Sequence, residues 1–165
     1  MDLPNSPLPD FDEEMRITRC VLERVPSDKG KWKPHPKSFP LAHLAQLVSG
    51  MPGWIAAMLN EGAIDLAAGK GYSFETTDTL LSSFDQNVEA ARDALTEATE
   101  EQLDEPWSLK HGDRVLFTMP RRAAIRQTIT HLSHHRGQLT VYLRLLDVPV
   151  PSVYGPTADE KMPGF

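Results

Sequence analysis

The sequence contains almost no cysteine: Cys20 is the only one in 165 residues. A single cysteine cannot form an intrachain disulfide, and zinc sites built from several thiolates are excluded with it. The surrounding stretch, RITRCVLERV, has the pattern of a helix. We therefore interpret Cys20 as a small core residue rather than as a nucleophile.

A long hydrophobic run is also missing. No apolar stretch approaches the ~18 residues that a membrane-spanning helix needs. The N-terminal MDLPNSPLPD is acidic and rich in proline, without the basic and apolar regions of a signal peptide. These features predict a cytoplasmic protein without a membrane partner.

The sequence has fewer basic residues than acidic ones. Seventeen Lys and Arg residues stand against 23 Asp and Glu residues, which gives a net charge of −6. Binding to nucleic acid generally needs a basic surface, so the sequence argues against a nucleic-acid partner. Arg121, Arg122 and Arg126 form one local basic cluster, which we interpret as the solvated first turns of a helix.

What the sequence does contain is helical periodicity over most of a single predicted domain, 1–165. Apolar residues recur at helical spacing in four long segments, at about 11–25, from Ser38, from Thr76 or Thr77, and at about 120–146. Four long amphipathic helices predict an all-α four-helix bundle. Residues 1–9 are predicted to be a loose arm, and the proline-rich 147–165 an extended tail on the surface.

One segment departs from the helical pattern. PWSLKHGDRVLFTMP alternates apolar and polar residues on each side of HGD, which predicts a short hairpin before the last long helix.

The most distinctive stretch is HLSHHRGQL in the last helix. His131 and His135 are four residues apart, so their side chains share one face, which we expect to point inward. His134 is predicted to face solvent. Two imidazoles at this spacing can hold one divalent ion. The alternative is a pair of histidines hydrogen-bonded within the seam of the bundle.

The next two residues indicate tight packing. Arg136 lies roughly 40° from the centre of the apolar stripe, where a charge is costly unless it is paired. We expect it to reach a carboxylate on another helix or on a partner subunit. Gly137 in mid-helix is unfavourable by up to ~1 kcal/mol relative to Ala, which suggests that another backbone passes close by.

The stretch THLSHHRGQLTVYLRLLDVPVPSVYGPTADE resembles the C-terminal signature of the DinB family, the DinB/YfiT-like metalloenzymes. FDEEMRITRCVLERVPSDKGKWKPHPKSF and MPGWI resemble its N-terminal half, so the likeness covers nearly the whole chain. The resemblance implies a four-helix bundle, usually a homodimer, with a divalent metal, often nickel or zinc, held by three histidines. Two of them correspond to His131 and His135. Some relatives are metal-dependent thiol S-transferases or isomerases that use low-molecular-weight thiols.

The sequence departs from this family at the third ligand. The family pattern places a histidine in the second helix, and alignment of LAHLAQLVSGMPGW puts Leu47 at that position. His43 lies four residues earlier on the same face and is our candidate replacement. An oxygen from Gln46 is a second possibility and His35 a weaker third. Otherwise the site has two protein ligands.

Two functions remain open from the sequence. The first is a metal-dependent enzyme of the thiol S-transferase type, with His131, His135 and His43 as metal ligands and a pocket formed by Trp54, Gln138 and Tyr142. The second is a non-catalytic dimeric binding or stress-response bundle with a degenerate metal site, which Leu47 favours. The sequence identifies neither a substrate nor a catalytic acid or base.

Overall fold

Helices make up most of the structure, a computed structural model that describes residues 8–69, 71–72 and 76–161. Within these residues four helices are long and one is short, and a small sheet of three strands accompanies them. The helices are α1 (Leu8–Leu22), α2 (Leu41–Asn60), α3 (Thr77–Glu97), α4 (Glu100–Asp104) and α5 (Arg121–Leu145). The strands are β1 (Ala63–Asp65), β2 (Pro106–His111) and β3 (Arg114–Pro120).

The four long helices enclose the hydrophobic core. Helix α2 packs against α3 and α5, and α1 packs against the same two helices. The apolar stripes predicted for α2 and α5 are largely buried, as expected for helices that face a common core. Buried members of these stripes include Leu41, Leu44, Val48, Met51, Ile55, Ile125, Leu132, Leu139 and Leu143. No helix in the described part of the chain is both long and apolar enough to cross a membrane.

The helix ends differ in part from the prediction. Helix α1 begins at Leu8, so residues 8 and 9 are helical rather than part of a loose arm; residues 1–7 lie outside the described residues. Pro40, not Ser38, precedes the first residue of α2, and no side chain caps this helix. Thr76, one of the two predicted start positions of α3, caps this helix, because its hydroxyl accepts a hydrogen bond from the amide of Thr79 at 3.1 Å.

The predicted hairpin is present, and it belongs to a larger sheet. Strands β2 and β3 are antiparallel, and Gly112 in the turn between them has φ of +58°, a conformation that favours glycine. Strand β1, which the sequence did not predict, pairs in parallel with β2. The amide of Gly112 also donates to the Asp65 carboxylate at 2.9 Å, which fastens the hairpin turn to the end of β1. The hairpin is thereby held beside α2 and α5.

The described part of the segment after α5, residues 146–161, contains no helix or strand, and it is packed more closely than a surface tail. Val150 is buried, and its amide donates to Asp159 at 2.8 Å. The same carboxylate pairs with Arg144 near the end of α5. The tail is therefore folded back on itself and attached to α5 by charge and by apolar contact.

Candidate functional site

His131 and His135 face each other on α5. Their Nε2 atoms are 2.8 Å apart, and their ring centroids are 4.6 Å apart. His131 is exposed and His135 is half-buried, so the pair lies at the rim of the helix packing. The predicted inward placement would have put the pair inside the core. His134 is exposed, in agreement with its predicted orientation.

Gln138, one turn further along α5, fixes the proton positions of this pair. Its Oε1 atom lies 2.8 Å from His135 Nδ1, and its Nε2 atom lies 3.0 Å from His134 Nε2. A carbonyl oxygen can only accept, so His135 carries its proton on Nδ1 and presents a lone pair at Nε2. The short contact is then a hydrogen bond that His131 Nε2–H donates to His135 Nε2.

The surroundings of His131 favour its neutral form. Burial lowers the pKa of His131 below its ordinary value, and the nearby charges of His135 and His134 lower it further. Neutral imidazole is the form that binds metal ions. His131 therefore favours the uncharged form that a metal site requires, but the proton that its Nε2 donates to His135 would have to move to Nδ1 when an ion binds.

The pair fits two positions of a metal site. Two nitrogens each about 2.0–2.1 Å from one ion lie roughly 2.8–3.4 Å apart at coordination angles of about 90–109°. The observed 2.8 Å separation of the Nε2 atoms is at the near edge of this range. Gln138 would act as the outer partner that holds a ligand histidine in its orientation.

The third position is not filled by histidine. Leu47, which occupies the position that the resemblance assigns to a ligand, is buried in the wall of the cavity that His131 also lines. Among residues 8–69, 71–72 and 76–161, no group of three or more His, Cys, Asp or Glu side chains is arranged to hold a metal ion.

His43 takes part in an aromatic stack. Its ring lies 4.2 Å from that of Phe39 and 3.8 Å from that of Tyr72, centroid to centroid and nearly parallel to both. Burial lowers the pKa of His43, and the charge of His135 contributes to the same effect. His43 is therefore near the pair, but it does not form a three-ligand group with it. His35 is exposed, and its Nδ1 accepts from the amide of Lys37 at 3.1 Å.

A cavity of about 700 Å³ adjoins His131. Helix α2, strand β2 and helix α5 supply much of its wall, and most of the lining is apolar. Its lining includes Leu47, Trp54, Ile64, Trp107, Leu109 and Phe117. A cavity of this size and character is typical of small-molecule sites.

The three predicted pocket residues divide between two hollows. Trp54 lines the large cavity, and its ring centroid is 6.4 Å from that of His131. Gln138 and Tyr142 instead line a separate hollow of about 370 Å³ that adjoins His135. The structure therefore places the three residues in two hollows rather than in one, and the His131–His135 pair stands between them.

Arg136 reaches a carboxylate on another helix, one of the two partners expected for it. Its side chain is buried, and its guanidinium pairs with Glu14 of α1 at 2.7 Å. It also donates to Thr18 at 3.0 Å and to the hydroxyl of Tyr154 in the tail, which in turn donates to Glu14. Arg136 thus connects α1, α5 and the tail through one network.

Gly137 does not have the predicted close neighbour. Among the described residues, no atom lies within 4 Å of the position that a Cβ would occupy there. No described segment of the chain therefore packs against Gly137. The glycine that meets a close neighbour is Gly53 of α2, where a Cβ would lie 2.7 Å from the side-chain oxygen of Asn87.

Sequence reasoning missed Trp107. This residue is buried on β2, lines the cavity and packs against Phe117 of β3, with the two ring centroids 6.3 Å apart. The alternation in PWSL placed Trp107 in a strand, and period-two geometry gives that strand one buried face. The buried face could have been predicted, but its place in the same cavity wall as His131 depends on long-range pairing.

Comparison with known proteins agrees with this fold. The sequence pattern of the DinB family matches residues 9–162. A DinB-like protein of Bacillus subtilis, YjoA, has a crystal structure that matches with a TM-score of 0.71 at 24% identity, covering 90% of this chain and 98% of that one. A DinB-like protein from Bacillus cereus ATCC 10987 matches with a TM-score of 0.69 at 23% identity, covering 89% and 95%.

A curated relative matches over a shorter stretch. The uncharacterized protein YrdA of Bacillus subtilis (strain 168) is 43% identical over 42 residues, which span 26% of this chain and 25% of that protein. The match to the family pattern, by contrast, includes α1, α5 and the His131–His135 pair. The chain belongs to the DinB family.

Proposed function

We propose that this protein is a metal-dependent enzyme whose divalent ion is held by His131 and His135. The observation that carries the proposal is the facing pair of Nε2 atoms, 2.8 Å apart, with the tautomer of His135 set by Gln138. Imidazole nitrogen suits nickel and zinc, the two ions that we propose.

The reaction that we propose is transfer of a low-molecular-weight thiolate to an electrophilic carbon of a second substrate: the new S–C bond forms as the bond between that carbon and its leaving group breaks, and the leaving group departs with the electron pair. A divalent ion at this place would lower the pKa of a bound thiol and so supply thiolate near neutral pH. The cavity that adjoins His131 would hold the apolar portion of the second substrate, with Trp54 beside the imidazole. Because a free thiol cosubstrate and the unpaired Cys20 both need reducing conditions, we place the protein in the cytoplasm.

Elemental analysis of untagged protein tests the metal proposal. We expect about one equivalent of nickel or zinc per chain after incubation and dialysis, and loss of that metal in the double variant His131→Ala/His135→Ala. His134→Ala is the matched control, since His134 lies on the same helix and is exposed. Equal metal content in the wild type and in the double variant would sink the proposal.

A second function is favoured by Leu47. An aliphatic side chain at the third-ligand position, in the wall of the cavity, suits a bundle that binds a small molecule without catalysis. This function and the first are distinguished by the same measurement, because a binding bundle keeps its fold and its cavity without stoichiometric metal.

We further propose that the protein forms a homodimer through one face of α5. Val141 and Leu145 are both 56% exposed, and they follow Gly137 at intervals of four residues, so the three share one stripe. The open space beside Gly137 would let a second backbone approach closely.

Light scattering after size exclusion should give twice the chain mass, and Val141→Glu/Leu145→Glu should halve it. Leu116→Glu, at an exposed position of β3, is the control.

A further inference from the structure

Two buried polar atoms in the described chain have no hydrogen-bond partner, and both belong to residues that line the large cavity. They are the indole Nε1–H of Trp107 and the side-chain Oε1 of Gln46. The first is a donor and the second an acceptor. Buried polar groups in proteins are almost always paired, because leaving one unpaired costs about 1–3 kcal/mol.

Trp107 is the stronger of the two observations. Its side chain is only 2% exposed and the indole nitrogen is covered by the cavity wall, so an acceptor contacts it only when a neighbouring side chain moves aside. Its ring is held on β2 and packed against Phe117. The nitrogen therefore cannot turn away to find another acceptor without breaking this packing.

The other side chains of the cavity wall indicate which charge a bound molecule can carry. None of the described residues that line the cavity is a lysine or an arginine, and Asp65 is its one acidic residue. The Asp65 carboxylate already accepts hydrogen bonds from the amides of Ala67 and Gly112, at 2.8 and 2.9 Å. Without a metal ion at His131, an anionic ligand would lie in an apolar wall that has no lysine or arginine among its described residues, which is unfavourable.

From these observations we infer that the cavity binds an uncharged, mainly apolar molecule that carries an amide or a similar carbonyl and N–H pair. The carbonyl oxygen accepts from Trp107, and the N–H donates to Gln46. The apolar part of the molecule packs against the aliphatic and aromatic wall. This inference rests on the proposed function in one respect: it takes the cavity beside His131 as the small-molecule site.

Three compounds of nearly equal shape provide the test. 4-Phenylbutanamide has both the carbonyl and the N–H, 5-phenyl-2-pentanone has the carbonyl alone, and 4-phenylbutanoate is the anion. Calorimetric titration of the full chain should give the tightest binding for the amide. The ketone should bind about tenfold more weakly, for the loss of one buried hydrogen bond, and the anion more weakly still.

Variants assign the two contacts. Trp107→Phe keeps a ring and removes the donor, so it should weaken both carbonyl compounds about tenfold. Gln46→Met should weaken the amide alone and abolish its advantage over the ketone. The controls are Trp32→Phe, since Trp32 does not line the cavity, and Gln127→Met, which alters another glutamine of the same wall. Neither control should change the order of affinities.

The wild-type protein gives an independent readout. It has three tryptophans, so three indole N–H resonances are expected in a nitrogen–proton correlation spectrum. The Trp107 resonance should move downfield when the amide or the ketone binds, and the Trp32 resonance should not. This measurement holds even if a cavity variant folds poorly.

Several results would overturn the inference. They are the absence of saturable binding of any of the three compounds at millimolar concentration, equal affinity for amide and anion, and variants that leave all three affinities unchanged. Loss of bound metal in Gln46→Met would assign that oxygen to the ion instead.

Titrations are run with a chelator and again with one equivalent of zinc. Amide binding without metal would sustain the inference while the metal proposal failed, and metal binding without amide preference would do the reverse.

Discussion

Arg136 places a full charge inside the protein, and its replacement is our first prediction. Arg136→Ala would leave Glu14, whose side chain is 15% exposed, without its cation, and would release the tail hydroxyl of Tyr154. Breaking a buried pair from one side costs about 3–5 kcal/mol. Urea unfolding should show a loss of stability of that order.

The control for Arg136 is Arg16 on α1. Arg16 pairs with Glu13 at 2.8 Å, but both side chains are more than half exposed. Exposed pairs contribute about 0–1 kcal/mol, so Arg16→Ala should be nearly neutral. Equal losses for the two variants would show that the Arg136 network does not hold α1, α5 and the tail together.

Leu47 gives a second prediction at the scale of one residue. Leu47→His places an imidazole in the cavity wall that His131 lines. Affinity for zinc should rise by more than about tenfold, because even outer partners of metal ligands change affinity by roughly 10–100-fold. Leu47→Met is the matched control and should leave metal affinity as it is. Competition with a chromophoric chelator measures both, and an unchanged affinity in Leu47→His would place position 47 outside the site.

At the scale of the helix, two glycines should respond in opposite ways to alanine. In the monomeric background Val141→Glu/Leu145→Glu, Gly137→Ala should stabilise the chain by up to about 1 kcal/mol, because alanine favours the helix and nothing in the described chain is displaced. Gly53→Ala should destabilise it by about 1–3 kcal/mol, since the new methyl would displace Asn87, which donates to the carbonyl of Ser49 at 3.1 Å. Thermal unfolding measures both. In the wild-type background, Gly137→Ala should destabilise the proposed homodimer, because its methyl would meet the second backbone; stabilisation there would contradict that interface.

The tail is the element whose attachment depends on pH. Arg144, foremost, and the amide of Val150 lower the pKa of Asp159 below its ordinary value. The contribution of this carboxylate to the stability of the folded tail is therefore complete above the unfolded pKa, about 3.8–3.9. It is lost as pH falls through the lower pKa of the folded state. Amide exchange of Val150 should lose protection across that range. In Asp159→Asn the protection should be low throughout, and Asp28→Asn, at an exposed position, should behave as the wild type.

The elements predicted from sequence are those with local causes. The four long helices follow from apolar spacing, the α3 cap from the hydroxyl of Thr76, and the hairpin from alternation around Gly112. Strand β1 was not predictable, because three residues carry no periodicity and the strand exists by pairing with β2.

The same limit applies to the candidate site. Spacing of four residues brought His131 and His135 together, and it could be read directly from the sequence. The stack around His43 requires Tyr72, and the cavity requires the hairpin to lie beside α2 and α5. Neither arrangement has a local signal.

For the molecule as a whole, a bound ion should add to stability. Metal that binds only the folded chain stabilises it by about 2.7 kcal/mol at a free concentration 100 times the dissociation constant. The melting temperature of zinc-loaded protein should therefore fall on addition of a chelator. The double variant His131→Ala/His135→Ala should show no such fall, and a fall of equal size in that variant would locate the metal elsewhere.

The parallel pairing of β1 with β2 also has a consequence for the order of folding. The hairpin of β2 and β3 closes through a two-residue turn, and each helix forms from near neighbours, so these elements can appear early. Strands β1 and β2 are separated in the sequence by α3 and α4, so their pairing closes a long loop. Closing this loop carries a larger entropic penalty than closing the hairpin turn. The cavity wall is therefore expected to be completed in the slow phase of refolding, after the helical signal has already been recovered.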